Sequence, residues 1–163
     1  MNKITFLLLL VLCIPSKSYA KGVEIEFGSG LLLVELPSYT KVINKSQEGF
    51  IATFDGKGEY VIEMSRIPSK GKRKADGFGA FAVKRMAEQQ GQVAKSVGEK
   101  AILVERIIET PTKRTQHFSI GVGGSVVTMT LTLPLLSQAS DAFNKRINSV
   151  VNAAITSLLE KGV

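Results

Sequence analysis

From Gln116 to Leu133 the chain reads QHFSIGVGGSVVTMTLTL, and this stretch decides the fold. Two runs rich in β-branched and apolar residues flank Gly123-Gly124, a pair that accepts the positive φ angles of a tight hairpin turn. The second run alternates with a period of two, as in a strand with one face in a core and the other nearer water. Its inward set is Val127, Met129, Leu131 and Leu133, and its outward set is Val126, Thr128, Thr130 and Thr132.

Two more hairpins are predicted upstream. Each pairs two short apolar runs across a turn rich in glycine. The first joins residues 23–27 to 31–36 across Gly28-Ser29-Gly30, and the second joins residues 49–54 to 59–67 across Asp55-Gly56-Lys57-Gly58. In the last of these strands Ile62 and Met64 share one face and Glu63 lies on the other. One further strand is predicted over residues 99–109.

Apolar residues at helical spacing predict two helices. The first begins near Asp76 and ends at Gly91, and the second is long and follows Ser140-Asp141. The apolar stripes are Phe78, Phe81, Ala82 and Met86 in the first helix, and Phe143, Ile147, Val150, Val151, Ala154 and Leu158 in the second. The order of elements indicates a single α+β domain over residues 21–163, with a mostly antiparallel β-sheet, an internal helix and a long C-terminal helix packed on it.

The first 20 residues have the pattern of a cleavable signal peptide. Lys3 gives a positive start, an apolar run follows over residues 4–14, and Ser18-Tyr19-Ala20 places small residues where a signal peptidase reads them. The run is about half of the ~20 residues that a transmembrane helix needs, and a bulky residue before Cys13 disfavours lipidation. We therefore expect a mature protein that begins at Lys21, is periplasmic or secreted, and has no transmembrane span.

The composition of the mature chain limits its chemistry. Removing 20 of the 163 residues leaves 143 and removes Cys13, the one cysteine, so stability must come from packing without a disulfide. Loss of Lys3 and Lys17 reduces the 21 basic residues to 19, against 14 acidic ones, which gives a net charge of +5. Export also separates the chain from cytoplasmic nucleotide pools, and we expect no cofactor.

No catalytic or metal-binding set is apparent. A nucleophile triad needs a base beside Ser or Cys, but His117 is the one histidine and no G-x-S-x-G motif accompanies it. The strand period places His117 with Ser119 on the outward face, which indicates a solvated histidine. One histidine and no mature cysteine do not provide the usual ligands of zinc. We therefore expect no catalytic residue and no metal site, and predict that the protein is not an enzyme.

Other polar patterns have structural interpretations. Glu24 and Glu26 share a strand face, as do Glu59 and Glu63, and we interpret both pairs as solvent-facing carboxylates. The run Gly121-Val-Gly-Gly-Ser125 lacks the lysine and following helix of a phosphate loop, so a hairpin turn is the better interpretation. The alternating threonines suit a half-exposed strand, although a binding ladder is an alternative.

Two motifs and the order of elements carry a family resemblance. The Leu36-Pro37-Ser38-Tyr39 step after the first hairpin, and Leu131-Thr132-Leu133-Pro134 before the final amphipathic helix, resemble the PsbP/DcrB-like superfamily. The resemblance extends over nearly all of the mature chain, and it departs from the family in having Tyr39 as the aromatic after the proline and no tryptophan anywhere. It implies an accessory, adaptor or envelope protein, with no shared catalytic motif.

Basic residues are concentrated between Arg66 and Arg85, where seven of them stand against one acidic residue and give a local charge of +6. The densest part is a predicted exposed loop that contains Lys70, Lys72, Arg73 and Lys74. Such a loop attracts an acidic protein or ligand or an anionic membrane surface, or is a solvated connection. Export and the lack of interleaved aromatic residues disfavour nucleic acid. We take these four residues as the candidate partner-binding site.

These features predict an exported, non-enzymatic, protein-binding domain. Its most concrete form is a periplasmic immunity or inhibitor protein that neutralises a toxin or effector, with an acidic toxin or an envelope protein as its partner. The alternative is an envelope adaptor, an assembly factor, or a small-ligand-binding accessory protein with a cleft between the first helix and the sheet. A pocket with convergent polar groups favours ligand binding, whereas a flat or protruding surface favours protein recognition.

Overall fold

Nine strands and two helices are present in residues 22–54, 58–67, 77–134 and 141–161, which a computed structural model of the chain describes. The strands are β1 Val23–Phe27, β2 Leu32–Leu36, β3 Lys41–Lys45, β4 Gly49–Thr53, β5 Val61–Ile67, β6 Lys95–Val97, β7 Lys100–Glu109, β8 Lys113–Val122 and β9 Ser125–Pro134. The helices are α1 Phe78–Gln89 and α2 Asp141–Lys161. Within these ranges neither helix is long and apolar enough to cross a membrane. The predicted signal peptide lies outside them.

The strands form two antiparallel sheets, which confirms the predicted α+β class. β1 and β2 make a separate hairpin, and the other strands make a seven-stranded sheet in the order β3-β4-β5-β9-β8-β7-β6. The β8–β9 hairpin lies at its centre and pairs continuously from Lys113 opposite Pro134 to Val122 opposite Ser125. Its turn uses the positive φ of 49° that Gly123 supplies. Residues 55–57, in the predicted turn between β4 and β5, lie outside the described ranges.

The main hydrophobic core lies on one face of the large sheet. The β1–β2 hairpin and α2 cover this face, and the inward residues of β9, including Val127, Met129 and Leu131, lie beneath them. Ile147, Val150, Ala154 and Leu158 of α2 are buried there, as their spacing predicts. Phe143 belongs to α2, but its side chain lies outside the described part of the chain.

Polar contacts connect α2 to the β1–β2 hairpin. The hydroxyl of Ser157 accepts a 3.0 Å hydrogen bond from the backbone N–H of Glu35 in β2, and so satisfies a donor at the edge of that strand. One turn later, Lys161 lies 3.0 Å from the carboxylate of Glu35 and 3.7 Å from that of Glu24. The hydrogen bond to Glu35, together with the negative charges, raises the pKa of Lys161 above its ordinary value. These contacts fix the hairpin to the end of the helix.

The opposite face of the sheet is covered in part by α1. Ala80, Val83 and Ala87 of this helix form a second buried cluster with Ala101, Leu103 and Val126. The backbones of Gly79 in α1 and Gly121 in β8 touch: a Cβ on Gly79 would be 2.1 Å from the carbonyl oxygen of Ser125, and one on Gly121 would be 2.3 Å from Gly79. Only glycine fits at both positions, which explains a glycine that is unfavourable in an opening helical turn.

The structure corrects the sequence analysis at four places. The apolar stripe predicted for α1 is not its buried face, because Phe81 is 60% exposed and the helix packs through its small residues instead. β3 and the three-residue β6 were not predicted, and they are the two edge strands of the large sheet. Val126 and Ser119 were expected on the solvent-facing side of the sheet. Both are buried, because α1 covers that side of the sheet at the end where these residues lie. His117 is half-buried rather than freely solvated. Alternation along a strand separates the two faces, but it does not show which part of a face a distant helix covers.

Candidate partner-binding surface

The four candidate residues Lys70, Lys72, Arg73 and Lys74 lie outside the described residues, so the structure gives no geometry for them. The nearest described positions on either side are Ile67, at the end of β5, and Gly77, before α1. Ile67 pairs with Val126 at the start of β9, and the amide of Gly79 donates to the carbonyl of Gly123 in the β8–β9 turn. The end of β5 and the start of α1 therefore lie at the same end of the sheet.

Arg66 belongs to the same basic stretch, but its charge is used inside the fold. Its side chain is 13% exposed, and its guanidinium donates to the Ser125 hydroxyl at 2.9 Å and to the Gly28 carbonyl at 3.2 Å. A carboxylate oxygen of Glu48 lies 3.6 Å away. Arg66 thus joins β5, the start of β9, the β1–β2 turn and the β3–β4 turn. Because Arg66 is used inside the fold, the basic stretch presents fewer free charges at the surface than its sequence implies.

The other described basic residues of the stretch lie on α1. Arg85 pairs with Glu88 at 2.9 Å, three residues along the helix, and both side chains are about 60% exposed. Lys84 is exposed beside them. These two residues can contribute to long-range attraction, whereas Arg66 cannot contribute a free side chain.

A second candidate surface is the part of the sheet that α1 leaves uncovered, which we call the open face. One line of directly paired residues crosses it, and residues on either side of this line extend it along β5, β8 and β9. The line is Asn44, Ile51, Glu63, Thr130 and His117, and the flanking residues are Val61, Ser65, Thr115, Thr128 and Thr132. All of these are half-buried or exposed, so the open face is a broad, mostly polar surface of strands.

Hydrogen bonds hold the polar side chains near the centre of the open face. His117 Nδ1 and the Thr130 hydroxyl share a bond of 3.1 Å between paired strands. Next to it, the buried hydroxyl of Ser119 donates to the carboxylate of Glu105, which lies within a register shift of β7. Because Ser119 is fully buried and bonded to a carboxylate, it is not placed as an accessible nucleophile. The cluster orders the surface and assembles no triad.

At one side of the open face, β3, β4 and β5 surround a shallow depression of about 120 Å³ that is open to solvent. It is lined by Asn44, Ser46, Gly49, Phe50, Ile51, Glu63 and Ser65. Gly49 lies so close to β5 that a Cβ there would be 2.3 Å from the carbonyl oxygen of Met64, and it lends only backbone to the lining. The depression has one charged group, the exposed carboxylate of Glu63.

The remaining sequence candidates are carboxylates on β1 and possible metal ligands. Glu24 and Glu26 are both exposed on β1, and Glu24 faces Lys161. In the described ranges no three His, Cys, Asp or Glu residues are grouped so that they could hold a metal ion. The open face and its depression were missed because they depend on β3, whose mixed sequence Lys-Val-Ile-Asn-Lys has no clear alternation. The two-residue period of β5 and β9 did identify Glu63 and the threonines as one face.

Comparisons with known proteins identify a related fold without a named activity. No protein-family model and no curated protein matches the chain. Among solved structures it is similar to a protein from Bacteroides thetaiotaomicron, known from a crystal structure at 1.50 Å resolution, with a TM-score of 0.57 and 12% sequence identity. The match covers 82% of this chain and 48% of that protein, so this chain spans about half of its length. At this identity the likeness shows the fold alone, and the PsbP/DcrB-like resemblance stays a prediction.

Proposed function

We propose that this protein is an exported, non-enzymatic domain that binds another protein through the open face of its sheet. The observation that carries the proposal is the shape and chemistry of that face. It is broad and continuous across five strands, and its side chains are asparagine, threonine, serine, histidine and glutamate beside Ile51 and Val61. Mixed polar and apolar surfaces of this kind are typical of non-obligate protein interfaces.

The packing of α1 supports protein recognition over the ligand-binding alternative. A cleft between the first helix and the sheet would suit a small ligand, but Ala80, Val83 and Ala87 fill that space by direct contact with β7 and β9. The depression beside β3 is shallow and open, unlike the enclosed sites that bury most of a small ligand. The open face therefore suits contact with another macromolecule.

Export and charge give the proposal its more specific form. A leader that ends at Ala20 directs the chain out of the cytoplasm, and the loop with Lys70, Lys72, Arg73 and Lys74 favours a negatively charged partner. A periplasmic immunity or inhibitor protein, which neutralises an acidic toxin or effector, combines these features in one molecule. An envelope adaptor or assembly factor uses the same surface with a resident envelope partner, and it is our second candidate.

The proposal is tested by blocking the open face without disturbing the core. Thr132→Arg places a long charged side chain between Val61 and Thr115, its paired neighbours on β5 and β8. We expect a partner captured from envelope extracts by the wild-type protein to bind this variant at least about tenfold more weakly, as for steric disruption near the centre of an interface. Binding is measured by surface plasmon resonance with the purified partner.

The control is Ser96→Arg, which adds the same side chain to the exposed edge strand β6. Both variants should keep the wild-type circular dichroism spectrum and unfolding midpoint. Equal binding of the partner to wild type and Thr132→Arg would contradict the proposal and place recognition elsewhere.

A further inference from the structure

We propose that the depression beside β3 binds an arginine side chain, which the partner inserts as an anchor into the open face. This inference rests on the proposed function for the source of the arginine, but the site itself is defined by residues of this chain. Its polar lining is Asn44, Ser46, Glu63 and Ser65, around the backbone of Gly49. The lining comes from three neighbouring strands and the turn that joins two of them.

The charge of the site selects a cation. Glu63 is the one charged residue of the lining, and among the described residues no basic side chain lies within ion-pair distance of it. Its directly paired neighbours on β4 and β9 are Ile51 and Thr130, which carry no charge. A carboxylate in a concave, uncharged surrounding is satisfied by a cationic donor from outside.

The shape and the other polar groups favour guanidinium over ammonium. The side-chain amide of Asn44 and the hydroxyl of Ser65 have no hydrogen-bond partner among the described residues, and both line the depression with Glu63. A guanidinium is planar, presents five donors in a fixed fork, and pairs with a carboxylate through two parallel bonds. Ile51 in the same lining offers an apolar surface to the stem of the arginine. An ammonium is a compact charge, so it would contact fewer of these polar groups at the same time.

The test uses a small probe, so that it does not depend on a partner protein. Nα-acetyl-arginine methylamide is titrated into the ¹⁵N-labelled protein, and binding is followed by amide chemical shifts. We expect saturable shifts centred on Asn44, Gly49 and Ser65. The citrulline analogue, which has nearly the same shape without the charge, and the lysine analogue should both bind more weakly. Glu63→Gln should weaken binding of the arginine probe about threefold to fivefold, the effect of an ion pair at an exposed site.

Glu99→Gln is the matched control, because Glu99 is an exposed carboxylate between β6 and β7 at the far edge of the sheet. It should bind the probe as the wild type does. Unchanged binding to Glu63→Gln, equal binding of the lysine analogue, or shifts centred elsewhere would overturn the inference. If the probe fails while Thr132→Arg still abolishes partner binding, the arginine site is wrong and the proposed function stands. If the probe binds while the partner is indifferent to Thr132→Arg, the proposed function is wrong and the site stands.

Discussion

At the residue scale, the same sequence feature has two different uses. Arg66 and Arg85 mark the ends of one basic stretch, yet Arg66 is mostly buried and Arg85 is exposed in a pair with Glu88. Both contribute one positive charge to the net charge of the stretch. Their surroundings differ because β5 directs Arg66 toward the turns of two other hairpins, while α1 directs Arg85 toward solvent.

Arg66→Met should therefore destabilise the fold. The change leaves the Gly28 carbonyl and the Ser125 hydroxyl without their donor, and Glu48 without its nearest cation. We expect a loss of about 1–3 kcal/mol in the free energy of unfolding, the cost of leaving buried polar groups unsatisfied. Urea denaturation measures it. Arg85→Met is the matched control and should change stability by less than about 1 kcal/mol, because exposed ion pairs contribute little. Equal losses would show that the contacts of Arg66 are not stabilising.

At the element scale, α2 is the part of the fold that was predicted most directly. Its apolar stripe follows from the 3.6-residue period alone, and Ile147 at 7% exposure and Val150 at 0% confirm it. The β1–β2, β4–β5 and β8–β9 hairpins were likewise predicted from alternation and glycine turns. Local periodicity suffices where an element buries one face along its whole length.

Ile147→Ala tests the structural role of that stripe. Ile147 is part of the main core beneath α2, so its truncation should cost about 2–5 kcal/mol in the free energy of unfolding and lower the melting temperature markedly. Lys145→Ala, an exposed position two residues earlier in the same helix, should have little effect. Reversible denaturation of both variants checks the expectation. A loss near zero for Ile147→Ala would mean that this face of α2 is not held in the core.

What the sequence could not predict depends on contacts between distant elements. Gly79 and Gly121 are 42 positions apart, and their backbone contact exists only because α1 crosses the β8–β9 hairpin. β3 has one half-buried side chain, Val42, so its pattern gives no signal of a strand. The depression is formed by β3, β4 and β5 together. The sequence pattern placed Glu63 on an outward face, but it did not predict a depression there.

At the scale of the whole molecule, the proposed function gives separate roles to the open face and the predicted basic loop. In that proposal the open face offers Ile51, Val61 and hydrogen-bonding side chains for short-range contact, and such contact governs how slowly a complex dissociates. The predicted basic loop, with Lys70, Lys72, Arg73 and Lys74, would in this proposal act at longer range and set how fast the partners meet. The basic residues suit a partner that is acidic overall, whereas the carboxylate of Glu63 suits a cationic group at the contact itself.

Replacing Lys70, Lys72, Arg73 and Lys74 with Ser tests the proposed steering role of the basic loop. Steering by charge acts on the association rate and is screened over ~8–10 Å at ordinary salt. The variant should therefore associate more slowly with a captured acidic partner and show a flatter dependence on ionic strength, while its dissociation rate and fold stay the same. Stopped-flow kinetics at low and high salt measures both rates. The matched control replaces Lys45, Lys95, Lys113 and Lys145, which are exposed elsewhere, and removes the same four charges. If both variants slow association equally, net charge rather than the loop attracts the partner; if neither does, the loop is a solvated connection and recognition depends on the open face alone.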